Sequence, residues 1–409
     1  MSWNKVLLAA AAASAVVILG GSVARADHPD PEPPGIRPVV TGLNNPRGVA
    51  VDGRGNLYVA EAGPYLGTDP NHETGDEHGL STGRVTKWTE PGTDRQEKVW
   101  STSFGSLYDN VNGIPEVLGP SGLSAIGNGC MDHSHGRHAA CALVTIIGES
   151  ARGVLAEDPG AMVPPGIGHL FFLNPGDGSR HDASDVGDQQ YQWTDDHKDL
   201  WEEFPDANPY GVLITRGRRS ERSDDWNTRQ RRIFVADAGA NTVSEIGPDG
   251  TTRVIAYVPN DGVRDSTPTC VAEGPDGALY VGTLNLTKNG FGQTPGQSDV
   301  WRIDPDSGED FLSAAHLWAT GLTTVTACAF DARGNFWATE MFQPNGPMAP
   351  PGDVVRIPFD DPASLTRIGG GQLPFPGGIA PARDGGLYVT INSLTFAPDS
   401  GAVVKLAAH

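Results

Sequence analysis

Beyond residue 19 the chain has no apolar run long enough to cross a bilayer, which takes about 20 residues. Basic residues are few: 29 Lys and Arg stand against 50 Asp and Glu, for a net charge of −21. Such a surface repels DNA and anionic lipid, which argues against a nucleic-acid role. No G-x-S-x-G elbow and no Gly-rich phosphate loop of the Walker type occurs, so no motif marks a serine nucleophile or a nucleotide site. Cysteine is limited to four residues.

What is present begins with an export signal. Lys5 precedes an apolar run from Val6 to Leu19, and Ala24-Arg25-Ala26 supplies small residues at a cleavage site. Residues 1–26 therefore read as a signal peptide cleaved near Ala26, leaving no membrane span. The mature protein is expected outside the cytoplasm, retained in the envelope or released. Residues 27–38 read as a Pro-rich lead-in, and 39–409 as one folded domain. In that compartment cysteines invite disulfides. Cys130 and Cys141 flank a short loop and are expected to pair. Cys270 and Cys328 sit at equivalent places in two repeats; they either pair or are separately buried thiols.

Gly (53) and Pro (33) are abundant and fall between short apolar runs, the layout of many strands joined by turns. The runs repeat. VVTGLNNPRGVAVDGRGN, from Val39, overlays WATGLTTVTACAFDARGN, from Trp318. Looser copies start at Pro120, Pro209, Pro268 and Pro376, making six. In each, a small-residue strand leads through an Asp/Gly turn to an aliphatic and aromatic strand such as Leu57-Tyr58-Val59, and then to a third strand. The unit fits a propeller blade, with the slim strand at the crowded axis. The expected fold is an all-β, six-bladed β-propeller of four-stranded blades. The last copy lacks a fourth strand, which Arg37 to Thr41 is expected to supply, closing the ring. A short helix is expected at Asp195 to Phe204.

The segments NNPRGVAVDGRGNLYVAEAG, RIFVADAGANTVSEI and PGGIAPARDGGLYVT resemble the ScyD/ScyE family of exported bacterial propellers over nearly the whole mature chain. Val235-Ala-Asp237-x-x-x-Asn241 is also the NHL-repeat pattern, and the wider superfamily includes gluconolactonase-like hydrolases. The resemblance implies a six-bladed NHL-like ring and supplies no reaction. The His-containing loop between Cys130 and Cys141 and the Arg-rich stretch from Arg216 to Arg232 depart from it.

Residues just before and within the inner strands lie at the channel mouth, where propellers bind ligands. Asn45 and Asn208 either lend amide oxygens to a cation or sugar or cap the turn before proline. Arg47 suits an anionic group, and Tyr210 stands beside Asn208. Glu61, Asp237 and Glu340 end the second strands of alternate blades. They either gather a divalent cation such as Ca²⁺, which prefers several carboxylate oxygens, or lock turns. His133, His135 and His138 are imidazoles on a Gly- and Ser-rich loop, either metal ligands or a solvated hairpin. The acidic loop from Asp69 to His78 carries the same two alternatives. The function read from these residues is an exported binding or scaffold propeller with an extracellular or envelope ligand. The alternative is a metal-dependent, gluconolactonase-like hydrolase of a lactone or ester.

Overall fold

The computed structural model describes residues 35–65, 82–111, 114–126, 142–216, 231–287, 295–343, 351–395 and 397–407. Six antiparallel sheets of four strands form the blades of a β-propeller. Blade one is Pro46–Val51, Leu57–Glu61, Gly83–Thr89 and Glu97–Phe104. Blade two is Pro120–Ile126, Ala142–Ile147, His169–Leu173 and Arg180–Asp185. Blade three is Pro209–Arg216, Arg231–Asp237, Thr242–Ile246 and Thr252–Tyr257. Blade four is Pro268–Glu273, Leu279–Thr283, Ser298–Ile303 and His316–Leu322. Blade five is Val325–Phe330, Asn335–Glu340, Gly352–Pro358 and Thr366–Leu373. Blade six joins Ile379–Pro381, Leu387–Ile391 and Gly401–Leu406 to an early strand, Arg37–Leu43. That strand pairs antiparallel with Gly401–Leu406, from Arg37 opposite Lys405 to Leu43 opposite Gly401. The ring is closed as the repeat required, by a strand that starts inside the predicted lead-in. The signal segment, Cys130, Cys141, His133, His135, His138 and the acidic loop lie outside the described residues.

We call the face where inner strands begin the upper face, and the face carrying the turns between first and second strands the lower face. Inner strands of neighbouring blades touch all round the axis, and their composition follows from that crowding. A Cβ on Gly48 would stand 2.5 Å from the Ser121 carbonyl oxygen of blade two, and one on Gly378 would stand 2.6 Å from the Arg47 carbonyl oxygen. The second strands fill the wider gaps: Tyr58, Tyr280 and Phe336 are completely or almost completely buried. Each such ring contributes about 2–3 kcal/mol by leaving water.

The D-x-R-G-N repeat has one physical purpose. Asp52 Oδ1 accepts the Arg54 and Asn56 amides, and its Oδ2 accepts Asn56 Nδ2 and the Tyr58 hydroxyl. Asp331 does the same with Arg333, Asn335 and the Trp337 indole. The aspartate thus closes the turn and anchors the aromatic ring of the next strand.

Cys270 and Cys328 form a disulfide, with Cα atoms 5.7 Å apart. The two are not equivalent, as the repeat alignment had them. Cys270 holds the position of Gly48, which faces the next blade, whereas Cys328 holds that of Val49, which faces the previous one. Strictly equivalent side chains in two blades point the same way round the ring and cannot meet; the offset of one residue turns them together. Closing 58 residues of chain stabilises by about 4 kcal/mol on the loop-entropy model.

The helix expected at Asp195 to Phe204 lies earlier, at Val186–Asp196. Asp185 caps it by accepting the Asp188 amide at 3.2 Å, which starts the helix a full segment upstream. Trp201 and Phe204 follow it and pack against Tyr257. A second helix, Ala151–Glu157, packs beside it. Between blades one and two an extra hairpin, Leu107–Val111 with Ile114–Leu118, belongs to no blade.

Candidate functional site

The upper mouth has a charged corner and an apolar arc. The corner is built on Arg47, the second residue of the first inner strand. Its Nη2 donates to Glu116 Oε1 at 2.7 Å and to the Val117 carbonyl at 2.8 Å. Both partners come from the extra hairpin. The Arg47 and Glu116 side chains are 4% and 0% exposed. The Tyr210 ring lies 6.0 Å from the guanidinium carbon. Burial opposes the charge on Arg47, but Glu116 and Tyr210 outweigh it and raise its pKa. Burial also pushes the Tyr210 hydroxyl up, against the pull of Arg47. Both Arg47 and Tyr210 line the channel cavity, of about 60 Å³. The arc is a buried cluster from the links that follow the second strands of blades three to six, including Leu284, Met341, Phe342 and Leu394.

The structure brings Arg47 and Tyr210 together and assigns the other sequence candidates separate tasks. Asn45 donates from Nδ2 to the Gly63 carbonyl at 2.9 Å, and its Oδ1 accepts the Thr395 amide at 2.7 Å. Asn208 Oδ1 accepts the Glu149 amide at 3.1 Å. Glu61 receives Arg84 through both oxygens, at 2.8 and 2.9 Å, and the Asn44 amide at 2.8 Å. Glu340 is built alike, with Arg367 at 2.7 and 2.9 Å and the Thr323 amide at 2.7 Å. Asp237 Oδ1 accepts the Asn208, Gly239 and Ala240 amides. Each carboxylate ties its own blade to the start of an inner strand.

This bears on a divalent cation. Among the described residues, no group of three or more His, Cys, Asp or Glu is placed to hold a metal ion. The amide oxygens of Asn45 and Asn208 and the three carboxylates are engaged internally. The described mouth therefore does not fit a cation such as Ca²⁺, whose site needs several converging oxygens.

Glu116 was not legible as a site residue. It lies 69 residues from Arg47, on a hairpin outside the repeat. The available signal was Arg47 itself. The other inner strands carry Ser121, Tyr210, Thr269, Thr326 and Gly377 at that place, and a buried arginine requires a counter-charge.

No protein-family model and no curated protein matches the chain. Solved structures do. The PQQ-bound aldose sugar dehydrogenase of Streptomyces coelicolor is similar with a TM-score of 0.50 at 12% identity, over 91% of this chain and 98% of that one. A gluconolactonase of Xanthomonas campestris scores 0.44 at 12% identity, over 91% and 89%. The calcium structure of a Trichoderma reesei carbohydrate-active enzyme of family AA12 scores 0.46 at 12% identity, over 91% and 95%. At this identity the likeness shows the propeller fold alone. No helix among the described residues is long and apolar enough to cross a membrane.

Proposed function

We propose that the chain acts on a small oxygenated molecule, a sugar, lactone or ester, at the upper mouth, with lactone or ester hydrolysis as the reaction class. The observation that carries this is Arg47, which lines the cavity beside Tyr210 and is paired with the buried Glu116. Burying such a pair is a weak route to stability, because desolvation offsets most of the attraction. The fold does not need it, since five of the six inner strands place Ser, Thr, Tyr or Gly there. A guanidinium in a dry site stabilises a developing oxyanion, and the buried Glu116 keeps this one charged and in place. The sugar dehydrogenase built on the same fold keeps sugars among the candidate substrates.

The second reading is an exported binding or scaffold propeller of ScyD/ScyE type with an extracellular or envelope ligand. Membership of that family rests on the sequence motifs alone. The size of the cavity favours this reading: about 60 Å³ admits a few waters and not a sugar. The Cys270–Cys328 disulfide agrees with an oxidising compartment under either reading.

A screen of lactones and esters, with chelator or with added Ca²⁺, separates the two. Turnover that falls at least about 100-fold in Arg47→Met, with Glu116→Gln alongside, supports the hydrolase. Turnover that needs Ca²⁺ and ignores Arg47 places the chemistry elsewhere. No turnover, with saturable binding to a cell-surface fraction, supports the scaffold.

A further inference from the structure

The chain is acidic, yet its lower face carries a row of arginines without counter-ions. Several arginines elsewhere are ion-paired: Arg84 with Glu61, Arg232 with Glu245, Arg302 with Asp276 and Arg367 with Glu340. Arg54, Arg333 and Arg383 are exposed, and no side chain among the described residues pairs with their guanidiniums. They sit on the turns between first and second strands in three consecutive blades, one, five and six.

The turn chemistry explains why they are bare. Asp52 and Asp331, which begin the same turns, point inward and are saturated by turn amides, Asn side chains and the Tyr58 or Trp337 ring donors. Asp384 is taken by the Gly386 amide and Lys405. The acids are consumed inside and the guanidiniums project outside. The three form a connected row. A Cβ on Gly385 of blade six would stand 3.9 Å from Arg333 Nη2, and one on Gly55 of blade one would stand 3.3 Å from Arg383 Cδ. The Arg333 and Arg383 arms thus reach to the next blade's turn, along the rim of the lower channel exit. Lys87 lies close enough to Arg54 to feel its charge.

We propose that this row docks a carboxylate-bearing polysaccharide. Guanidinium forks match carboxylates in two-pronged geometry, and a curved series of them suits a chain with one acid per sugar. A protein partner would need an apolar anchor at its centre. Among the described residues the exposed large apolar side chains, Val99, Leu155, Val263, Leu312 and Leu317, all lie off these turns. Duplex DNA carries a charge about every 1.7 Å, and a chain at −21 repels it more than a sparsely charged polymer.

The test uses the full chain and polygalacturonate, with neutral dextran and duplex DNA as comparison ligands, by calorimetry at low salt. Saturable binding to polygalacturonate that weakens with added salt is expected, with none to dextran. The combined variant Arg54→Gln, Arg333→Gln, Arg383→Gln should bind at least about tenfold more weakly at an unchanged melting temperature. Absence of wild-type binding, equal binding by the triple variant, or tighter binding to DNA overturns the assignment.

Discussion

Glu340 on the upper face and Asp331 on the lower face belong to the same strand pair of blade five, and their surroundings shift their pKa values in opposite directions. Burial raises the Glu340 carboxyl above its ordinary range, although Arg367 grips both its oxygens. Burial also pushes Asp331 up, but Asn335, Trp337 and the turn amides outweigh it and hold it below. The contrast extends round the ring. Asp185, Asp299 and Asp353, at upper strand ends, are raised chiefly by burial. Asp276 and Asp384, on lower turns, are lowered, by Arg302 and turn amides against burial in the first and chiefly by Lys405 in the second. Asp261, above blade three, is the exception, drawn down by Arg264 and neighbouring amides against burial. At these upper positions burial outweighs the donors, and on these lower turns the donors outweigh burial. The difference decides which arginines stay free. In blades one and five Glu61 and Glu340 hold Arg84 and Arg367 above, whereas Asp52 and Asp331 spend their oxygens on the turn below. In blade four Asp276 closes its turn and also holds Arg302.

The largest test of this contrast is Glu340→Ala. It strands Arg367 and frees the Thr323 amide, and should cost about 3–5 kcal/mol in urea unfolding. Asp331→Ala removes a turn closure that solvent can partly replace, and should cost about 2 kcal/mol in the same measurement. Equal losses would erase the distinction between the faces. The smallest effect is the pH profile. Raised upper carboxyls take up protons first as pH falls, while the unfolded chain is still ionised, so their contribution to stability rises as pH drops toward the ordinary carboxylate range. The depressed lower acids contribute stability that is full above that range and is lost as pH falls through their folded values. Stability should therefore pass through a mild maximum and then decline. Glu340→Gln should flatten the rise and Asp331→Asn the decline, read from urea midpoints against pH.

The ring was legible because the blades solve the same two problems with similar residues, most alike in blades one and five. Gly48 and its counterparts allow close approach at the axis, and Asp52 and Asp331 close turns that read as D-x-R-G-N. The closing strand was legible because the last copy was one strand short. What the chain hid were contacts between non-equivalent parts. The facing of Cys270 toward Cys328 depends on an offset of one residue, and Glu116 reaches Arg47 from a hairpin that no repeat predicts. Nor does sequence announce that Thr267, Thr324 and Phe375 have positive φ, at 47°, 51° and 42°. Non-glycine residues avoid this backbone, and here it persists because the surrounding strands dictate it. The residue in front of each inner strand was expected to cap a turn or bind a ligand. Its recurrent service is to lend its carbonyl to the amide just after the second strand, as Asn45 does for Ala62 and Thr324 for Met341.

The seam between Arg37–Leu43 and Gly401–Leu406 has a mechanical side. Arg37 lies opposite Lys405, so tension applied through the chain before Arg37 and after Leu406 pulls on the same end of that strand pair. The bonds across the seam then carry the force one at a time, as in a zipper, and do not share it as they would in shear. The joint that closes the ring against thermal opening is thus its weakest line under traction. A pulling experiment should show blade six yielding first, at low force, while the neighbouring blades remain closed.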